Sequence, residues 1–130
     1  MNLESPKVNI NKNAQQVFDF LTKVENFEQI MPESKEKFEK LSDEKFLFQL
    51  KGMPEIVLKQ KDQTAPSKVI LGAASDKLPF TLTADINQIS DSESETQLVF
   101  DGEFNPMMAM MIKKPIQNFI NALAENLKNI

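Results

Sequence analysis

Six short runs that alternate apolar with polar residues follow one another between about residues 35 and 105, and no helix-length segment interrupts them. Their spacing of about 8 to 14 residues is typical of an antiparallel meander. Parallel pairing would require a crossover helix between consecutive strands, so the sequence favours antiparallel pairing. The runs are EKFEKLS at 36–42, EKFLFQLK at 44–51, EIVLKQKDQ at 55–63, SKVILGAAS at 67–75, PFTLTADINQI at 79–89 and TQLVFDGEF at 96–104.

These runs have one apolar side. Apolar residues occupy every second position and mostly polar residues lie between them, which predicts a sheet with one buried and one hydrated face. Turn-forming residues separate the runs, so each break has a local cause. The apolar series are Phe46, Phe48 and Leu50; Phe80, Leu82, Ala84 and Ile86; and Leu98, Phe100, Gly102 and Phe104. The turn segments are SDE at 42–44, KGMPE at 51–55, TAPS at 64–67, SDKLP at 75–79 and SDSES at 90–94.

The segment before the six runs predicts one strand and two short helices. Val8 and Ile10 show the alternation of a half-buried strand within residues 3–11. Asn13 is a good N-cap for a helix whose apolar positions recur at helical spacing. A second helical segment, VENFEQIM, ends at Pro32, which cannot continue it. The apolar positions of the first helix are Ala14, Val17, Phe18 and Leu21.

The carboxy-terminal segment predicts one long helix that covers the apolar sheet face. Asn105 is its N-cap, Pro106 takes the favoured first position, and the helix would reach about residue 129. Pro115 removes a hydrogen bond to the Met111 carbonyl, so we expect the helix to kink or restart there. One apolar stripe comprises Ile112, Ile116, Phe119, Ile120, Leu123 and Leu127.

Four methionines near the start of this helix lie roughly 150° around it from that stripe. One straight helix cannot bury both sets against one sheet. Three interpretations remain open: the methionines fill irregular space at the edge of the core, line the mouth of a ligand cavity, or form an exposed dimer patch. They are Met107, Met108, Met110 and Met111.

The composition excludes much chemistry. The chain has 130 residues, enough for one domain over 1–130. It contains no histidine, cysteine, arginine, tyrosine or tryptophan, which removes imidazole and thiolate nucleophile systems and the bidentate arginine clamp. We therefore expect no catalytic residues, no metal ligands and no cofactor. A net charge of −4, without a basic stripe, argues against a nucleic-acid partner.

Several carboxylates share a predicted polar strand face. Asp101 and Glu103 alternate on one strand, and Asp85 lies on a neighbouring strand with the same alternation. We interpret them as a hydrated outer face balanced by Lys59 and Lys61. Lys113 and Lys114 are interpreted in the same way, as solvent-facing helix residues.

No apolar run reaches 18 residues, so no membrane span is predicted. The first ten residues, MNLESPKVNI, lack the features of a secretory signal, which gives a cytoplasmic expectation.

The order of elements resembles the START-like, or SRPBCC, proteins, which include the pollen allergens. The segment VNINKNAQQVFDFLTKVENFEQIMP at 8–32 carries the resemblance, with an opening strand, a polar turn, a helix and a second helix ending in proline. The resemblance implies an α+β helix-grip fold: a curved antiparallel sheet of about seven strands wrapped around a long C-terminal helix, with two short helices after strand 1. Two features depart from the family: KLSDEKF at 40–46 replaces its glycine-rich loop, and the polar cavity residues of its cyclase branch are missing.

The resemblance also implies an apolar cavity between sheet and helix that binds a lipid, quinone or polyketide-like molecule. We therefore predict binding of a small hydrophobic molecule without covalent catalysis. Two alternatives stay open: an interaction module or homodimer using Met107 to Met111, and a cyclase or isomerase using cavity carboxylates. The predicted cavity residues are Phe46, Phe48, Ile56, Leu58, Leu71, Phe80, Leu82, Leu98, Phe100, Met108, Met111, Ile112 and Phe119.

Overall fold

A computed structural model describes residues 1–74 and 79–130. The strands are β1 (Asn2–Glu4), β2 (Val8–Ile10), β3 (Lys35–Lys40), β4 (Lys45–Leu50), β5 (Ile56–Thr64), β6 (Lys68–Ala73), β7 (Phe80–Ser90) and β8 (Glu93–Gly102). The α-helices are α1 (Ala14–Leu21), α2 (Phe27–Ile30) and α3 (Pro106–Leu127), and a 3-10 turn covers Val24–Asn26. The predicted turn at 75–79 lies largely outside the described residues.

All strand pairs described are antiparallel, and the sheet order is β1-β8-β7-β6-β5-β4-β3, with β2 also on β8. The antiparallel prediction is confirmed, and no helix lies between β3 and β8 in the described part of the chain. The opening segment gives two strands instead of one, so the described part of the chain has eight strands in the sheet where about seven were predicted. Pro6 explains the break, because it has no N–H to donate to β8.

Ser5 joins the two short strands to β8. Its backbone N–H donates to the Leu98 carbonyl at 2.8 Å, and its Oγ accepts from the Leu98 N–H at 2.9 Å. The side chain thus replaces a ladder hydrogen bond at the point where regular pairing stops. β1 and β2 are thereby held along the same edge of β8.

The buried apolar side chains form one cluster between the sheet and the helices. Alternation on β4, β7 and β8 is confirmed, since the predicted apolar positions face this cluster and are buried or half-buried. Asn13 caps α1 through its side chain and forms a capping box with Gln16. The first helix and the Pro32 boundary therefore follow the sequence prediction.

Helix α3 begins where predicted, with the Asn105 side chain accepting from the Met108 N–H at 2.8 Å. It runs unbroken through Pro115 to Leu127, so the helix does not restart there, and the alternative of a kink at Pro115 stays a prediction. The carbonyl that loses its partner belongs to Met111, an exposed residue, and water can hydrate it there. The buried residues of α3 all follow Pro115: Ile116, Phe119, Ile120, Leu123, Ala124 and Leu127.

Candidate ligand-binding cleft

An apolar cleft of about 270 Å³ lies where the first turns of α3 face the ends of β5, β7 and β8. Three walls form it: an aromatic wall from the sheet, a loop wall between β4 and β5, and a helix wall from α3. Its described lining residues are Gly52, Met53, Pro54, Ile56, Phe80, Phe100, Phe104, Met108, Met111, Ile112, Pro115 and Ile116.

The aromatic wall is a series of three stacked rings. Phe80 and Phe100 lie on neighbouring strands with ring centroids 5.0 Å apart, and Phe104 lies 6.1 Å from Phe100 at an interplanar angle of 7°. Gly102 makes this possible, because a Cβ there would lie 2.8 Å from both the Phe104 ring and the Phe80 Cβ. A glycine at the end of β8 therefore lets Phe104 pack against the strand ends.

The loop wall is fixed by a turn that requires glycine. Gly52 has a φ of +80°, a conformation that is strained for other residues. The Met53 N–H donates to the Leu50 carbonyl at 3.0 Å, and Gln49 Nε2 donates to the Met53 carbonyl at 3.1 Å. These hydrogen bonds hold Met53 and Pro54 against the cleft.

The helix wall lies mostly before Pro115, in the part of α3 that has no buried residue. Met108 and Ile112 are half-buried, whereas Met111 is exposed at the rim, so the cleft opens to solvent there. Thioether side chains are flexible and adapt to different shapes. This wall is therefore the adaptable side of the cleft, opposite the stacked rings.

Six of the thirteen predicted cavity residues line this cleft: Ile56, Phe80, Phe100, Met108, Met111 and Ile112. Two aromatic stacks place three others in the packed interior, because Phe48 lies 4.9 Å from Phe119 and Phe46 lies 5.1 Å from Phe27. Leu58 is also fully buried. The remaining three, Leu71, Leu82 and Leu98, border a void of only about 10 Å³ near α1 and α2.

Sequence reasoning missed six lining residues: Gly52, Met53, Pro54, Phe104, Pro115 and Ile116. The sequence pattern places Phe104 and Ile116 on apolar faces, but it does not distinguish cavity residues from core residues. The turn KGMPE offered a weak signal, because it carries a methionine between two residues that shape the backbone.

Charged side chains lie outside the described lining. A hydrogen bond with Glu55 at 2.7 Å raises the pKa of Lys37, next to the loop wall. The pKa of Glu25 is lowered by a backbone hydrogen bond and by Lys40, and a hydrogen bond with Asp43 raises the pKa of Lys40. On the outer sheet face, Asp85 pairs with Lys68 at 3.5 Å, and Lys61 borders the same groove as Asp101 and Glu103.

Two open grooves on the outer sheet face and one beside α3 are larger, at about 380, 390 and 320 Å³, but polar and charged side chains contribute to the lining of each. Ligand sites in proteins are mostly apolar, so the cleft is the better candidate. Residues 1–74 and 79–130 contain no group of three or more acidic side chains placed to hold a metal ion. No helix within those ranges has the length and apolar character needed to cross a bilayer.

No protein-family model and no curated protein matches the sequence. Solved structures do resemble it. A START superfamily protein from Mycobacterium smegmatis gives a TM-score of 0.76 at 14% identity, covering 98% of this chain and 94% of that one. Norcoclaurine synthase from Thalictrum flavum gives 0.75 at 9% identity, covering 99% and 92%.

A di-domain ARO/CYC protein of the BE-7585A biosynthetic pathway gives a TM-score of 0.67 at 11% identity. The alignment covers 98% of this chain and 46% of that one. Matches that cover almost the whole chain at these scores mean a shared topology, although the identities are too low to carry any activity across. The chain therefore has the START-like helix-grip fold.

Proposed function

We propose that the protein binds a small hydrophobic molecule in the cleft, without covalent catalysis. The supporting observation is the chemistry of the lining, because every described residue in it is apolar or glycine. The aromatic wall offers flat surfaces for stacking, and the helix wall offers adaptable methionines. A ligand with an apolar body is favoured there over a charged one.

The volume restricts the size of this ligand. About 270 Å³ is just below the roughly 300 to 1,000 Å³ of typical ligand sites. A single ring or a short acyl segment fits this space, and a longer chain would extend past Met111 into solvent. The ligand class is therefore lipids, quinones and polyketide-like molecules from which one ring or one short acyl segment enters the cleft. The structure of norcoclaurine synthase, which has the same fold, contains dopamine and hydroxybenzaldehyde. We therefore add small aromatic molecules to the candidate ligands.

The methionines provide an internal test. Met53, Met108 and Met111 line the cleft, whereas Met1, Met31, Met107 and Met110 do not. Titration with dodecanoate, a short-chain quinone and 4-hydroxybenzaldehyde should shift the methyl NMR signals of the first three and leave the other four unchanged. Saturable shifts confined to the cleft methionines would support the proposal. No response of those three signals to any probe would contradict it.

A pair of variants adds a matched control. Ile112→Gln changes a half-buried cleft residue, and Ile89→Gln makes the same change at an exposed residue of β7. Losing the apolar contact of one isoleucine should weaken binding about tenfold. Ile89→Gln should leave affinity unchanged, and equal effects of the two variants would argue against binding in the cleft.

A second candidate is a homodimer or partner interface formed by Met107 to Met111. The observation in its favour is the exposure of three large apolar side chains within this short segment. Sedimentation equilibrium decides between the two functions. A dimer that dissociates in the Met108→Ser/Met111→Ser variant would favour the interface.

The enzyme alternative required a carboxyl group inside the cavity. No Asp or Glu is buried among the residues that the structure describes, so the described cleft offers that hypothesis no acid or base.

A further inference from the structure

Three methionines on the first turns of α3 are largely exposed. Met107 is 74% exposed, Met110 81% and Met111 68%. We propose that these turns seat the protein on the surface of an anionic lipid bilayer, with the mouth of the cleft facing the lipid. This inference rests on the proposed function: the bilayer would be the source from which a hydrophobic ligand enters the cleft.

Charge distinguishes this segment of α3 from the rest of the chain. The chain carries a net charge of −4, yet no acidic residue occurs between Glu103 and Glu125. Lys113 and Lys114 are the charged residues of that segment, and both are exposed. Apolar side chains next to lysines are the pattern of helices that lie in the interface of anionic membranes.

A third lysine extends the positive surface. Lys51 and Lys114 border the same groove beside α3, and Pro115 lines both this groove and the cleft. Lys51 precedes the loop wall, so the lysines lie close to the cleft and not on a distant face. Anionic headgroups can therefore contact the lysines while the methionines enter the acyl region.

The surface formed by Met107, Met110 and Met111 is continuous with the cleft, and this favours lipid as the partner of that surface. Met111 is exposed and also lines the cleft, so one side chain belongs to both. An acyl chain can pass from the bilayer along Met111 to the stacked rings without crossing water. A second copy of this chain fits less well, because two-fold packing of the same surface would bring two Lys113–Lys114 pairs together.

Vesicle flotation tests the proposal with the complete chain. Vesicles of phosphatidylcholine, with and without phosphatidylglycerol, are mixed with wild-type protein and with Met107→Ser/Met110→Ser. These two residues do not line the cleft, so the substitutions leave its described lining unchanged. The matched control is Leu41→Ser/Ile89→Ser, which removes the exposed large apolar side chains found elsewhere in residues 1–74 and 79–130, 46% and 51% exposed. We expect the methionine variant to lose roughly tenfold or more in partitioning, with no loss for the control.

The lysines are tested separately. Lys113→Gln/Lys114→Gln should reduce the preference for phosphatidylglycerol, by about fivefold for each lysine removed. Lys7→Gln/Lys23→Gln removes the same charge from exposed positions outside α3 and should have little effect.

The proposal is overturned if wild-type protein does not float with phosphatidylglycerol vesicles, or if the methionine variant floats as well as the wild type. It is also overturned if the wild type is a dimer that the methionine variant dissociates, with no vesicle binding. The Met53 methyl signal, measured without vesicles, separates this result from the proposed function. Vesicle binding with no small-molecule response at Met53 would reject ligand binding in the cleft and retain the membrane surface.

Discussion

At the scale of single residues, two buried positions on β8 have unusual requirements. Gly102 lies opposite Phe80 in the sheet and under the Phe104 ring, where a Cβ has no room. Thr96 has its hydroxyl fully buried, and that hydroxyl has no hydrogen-bond partner among the described residues. Position 102 therefore requires glycine, which has the smallest side chain. Burial of the Thr96 hydroxyl without a partner lowers the stability of the fold.

Gly102→Ala should lower the free energy of unfolding by about 1 to 3 kcal/mol, because the added methyl overpacks the aromatic wall. Gly72→Ala is the control: its Cβ would meet the flexible Lys61 side chain at 3.0 Å, which can move aside. Urea denaturation measures both variants. Equal stability of the two would show that the Phe104 ring can move away freely.

Thr96→Val keeps the shape of the side chain and removes the unpaired hydroxyl. We expect the free energy of unfolding to rise by about 1 kcal/mol, since desolvation of that group is relieved. Thr83→Val, on the outward face of β7, should change it by less than about 0.5 kcal/mol. Thermal denaturation measures the stability of both variants. A loss of stability in Thr96→Val would mean that the Thr96 hydroxyl is hydrogen-bonded.

At the scale of elements, α3 has two halves with different roles. After Pro115 the helix is anchored by its buried residues and by Asn126, whose Nδ2 donates to the Ile30 carbonyl at 2.9 Å. Before Pro115 none of its residues is buried. One half therefore stabilises the fold, and the other is free to form the cleft and its rim.

Pro115→Ala should raise the free energy of unfolding by about 1 to 3 kcal/mol, because it restores a backbone hydrogen bond and a good helix former inside α3. Pro106→Ala changes the other proline of the same helix, at the first position, where proline is favoured. That control should be neutral or slightly destabilising. The stabilities of the two variants are compared by their denaturant midpoints. If Pro115→Ala is less stable than the wild type, the proline ring is needed for packing in the cleft.

The sequence allowed the order and faces of the elements to be predicted, but not the limits of the cleft. Alternation identified Phe48 and Phe100 alike as inward-facing, yet Phe48 packs on Phe119 while Phe100 lines open space. Period-2 patterning reports which side a residue faces and carries no information on whether the space behind it is filled. Gly52 to Pro54 were missed for a related reason, because a turn has no periodicity that indicates what it contacts.

At the scale of the whole molecule, the interior is packed in the middle and open at one end. Phe46, Phe48 and Phe119 fill the space between sheet and helix, and the cleft begins beyond them. At one edge of the sheet, β3 carries alternating lysine and glutamate residues, a charge pattern that opposes pairing with another sheet. The molecule therefore presents an apolar opening at the cleft and a charged edge at β3.

Binding of a neutral hydrophobic probe should be nearly independent of pH between about 6 and 9, because no described lining residue titrates. Lys37, beside the loop wall, stays protonated across this range, because its hydrogen bond with Glu55 raises its pKa. The contribution of a raised lysine pKa to stability is present below the ordinary value of 10.5 and is lost as pH rises through the higher folded value. Fluorescence titration at several pH values tests this, and a change of affinity beyond about threefold would indicate an ionisable group at the ligand.

The pairing of β1 with β8 has a consequence for biosynthesis. Asn2 lies opposite Asp101 in the sheet, so β1 cannot find its partner until β8, the last strand in the described chain, has been synthesised. Contacts between such distant positions form slowly, and until then the edge of the nascent sheet is unprotected. Translation arrested before β8 would leave β1 and β2 without a template, and such truncated chains should be substrates for chaperones and proteases.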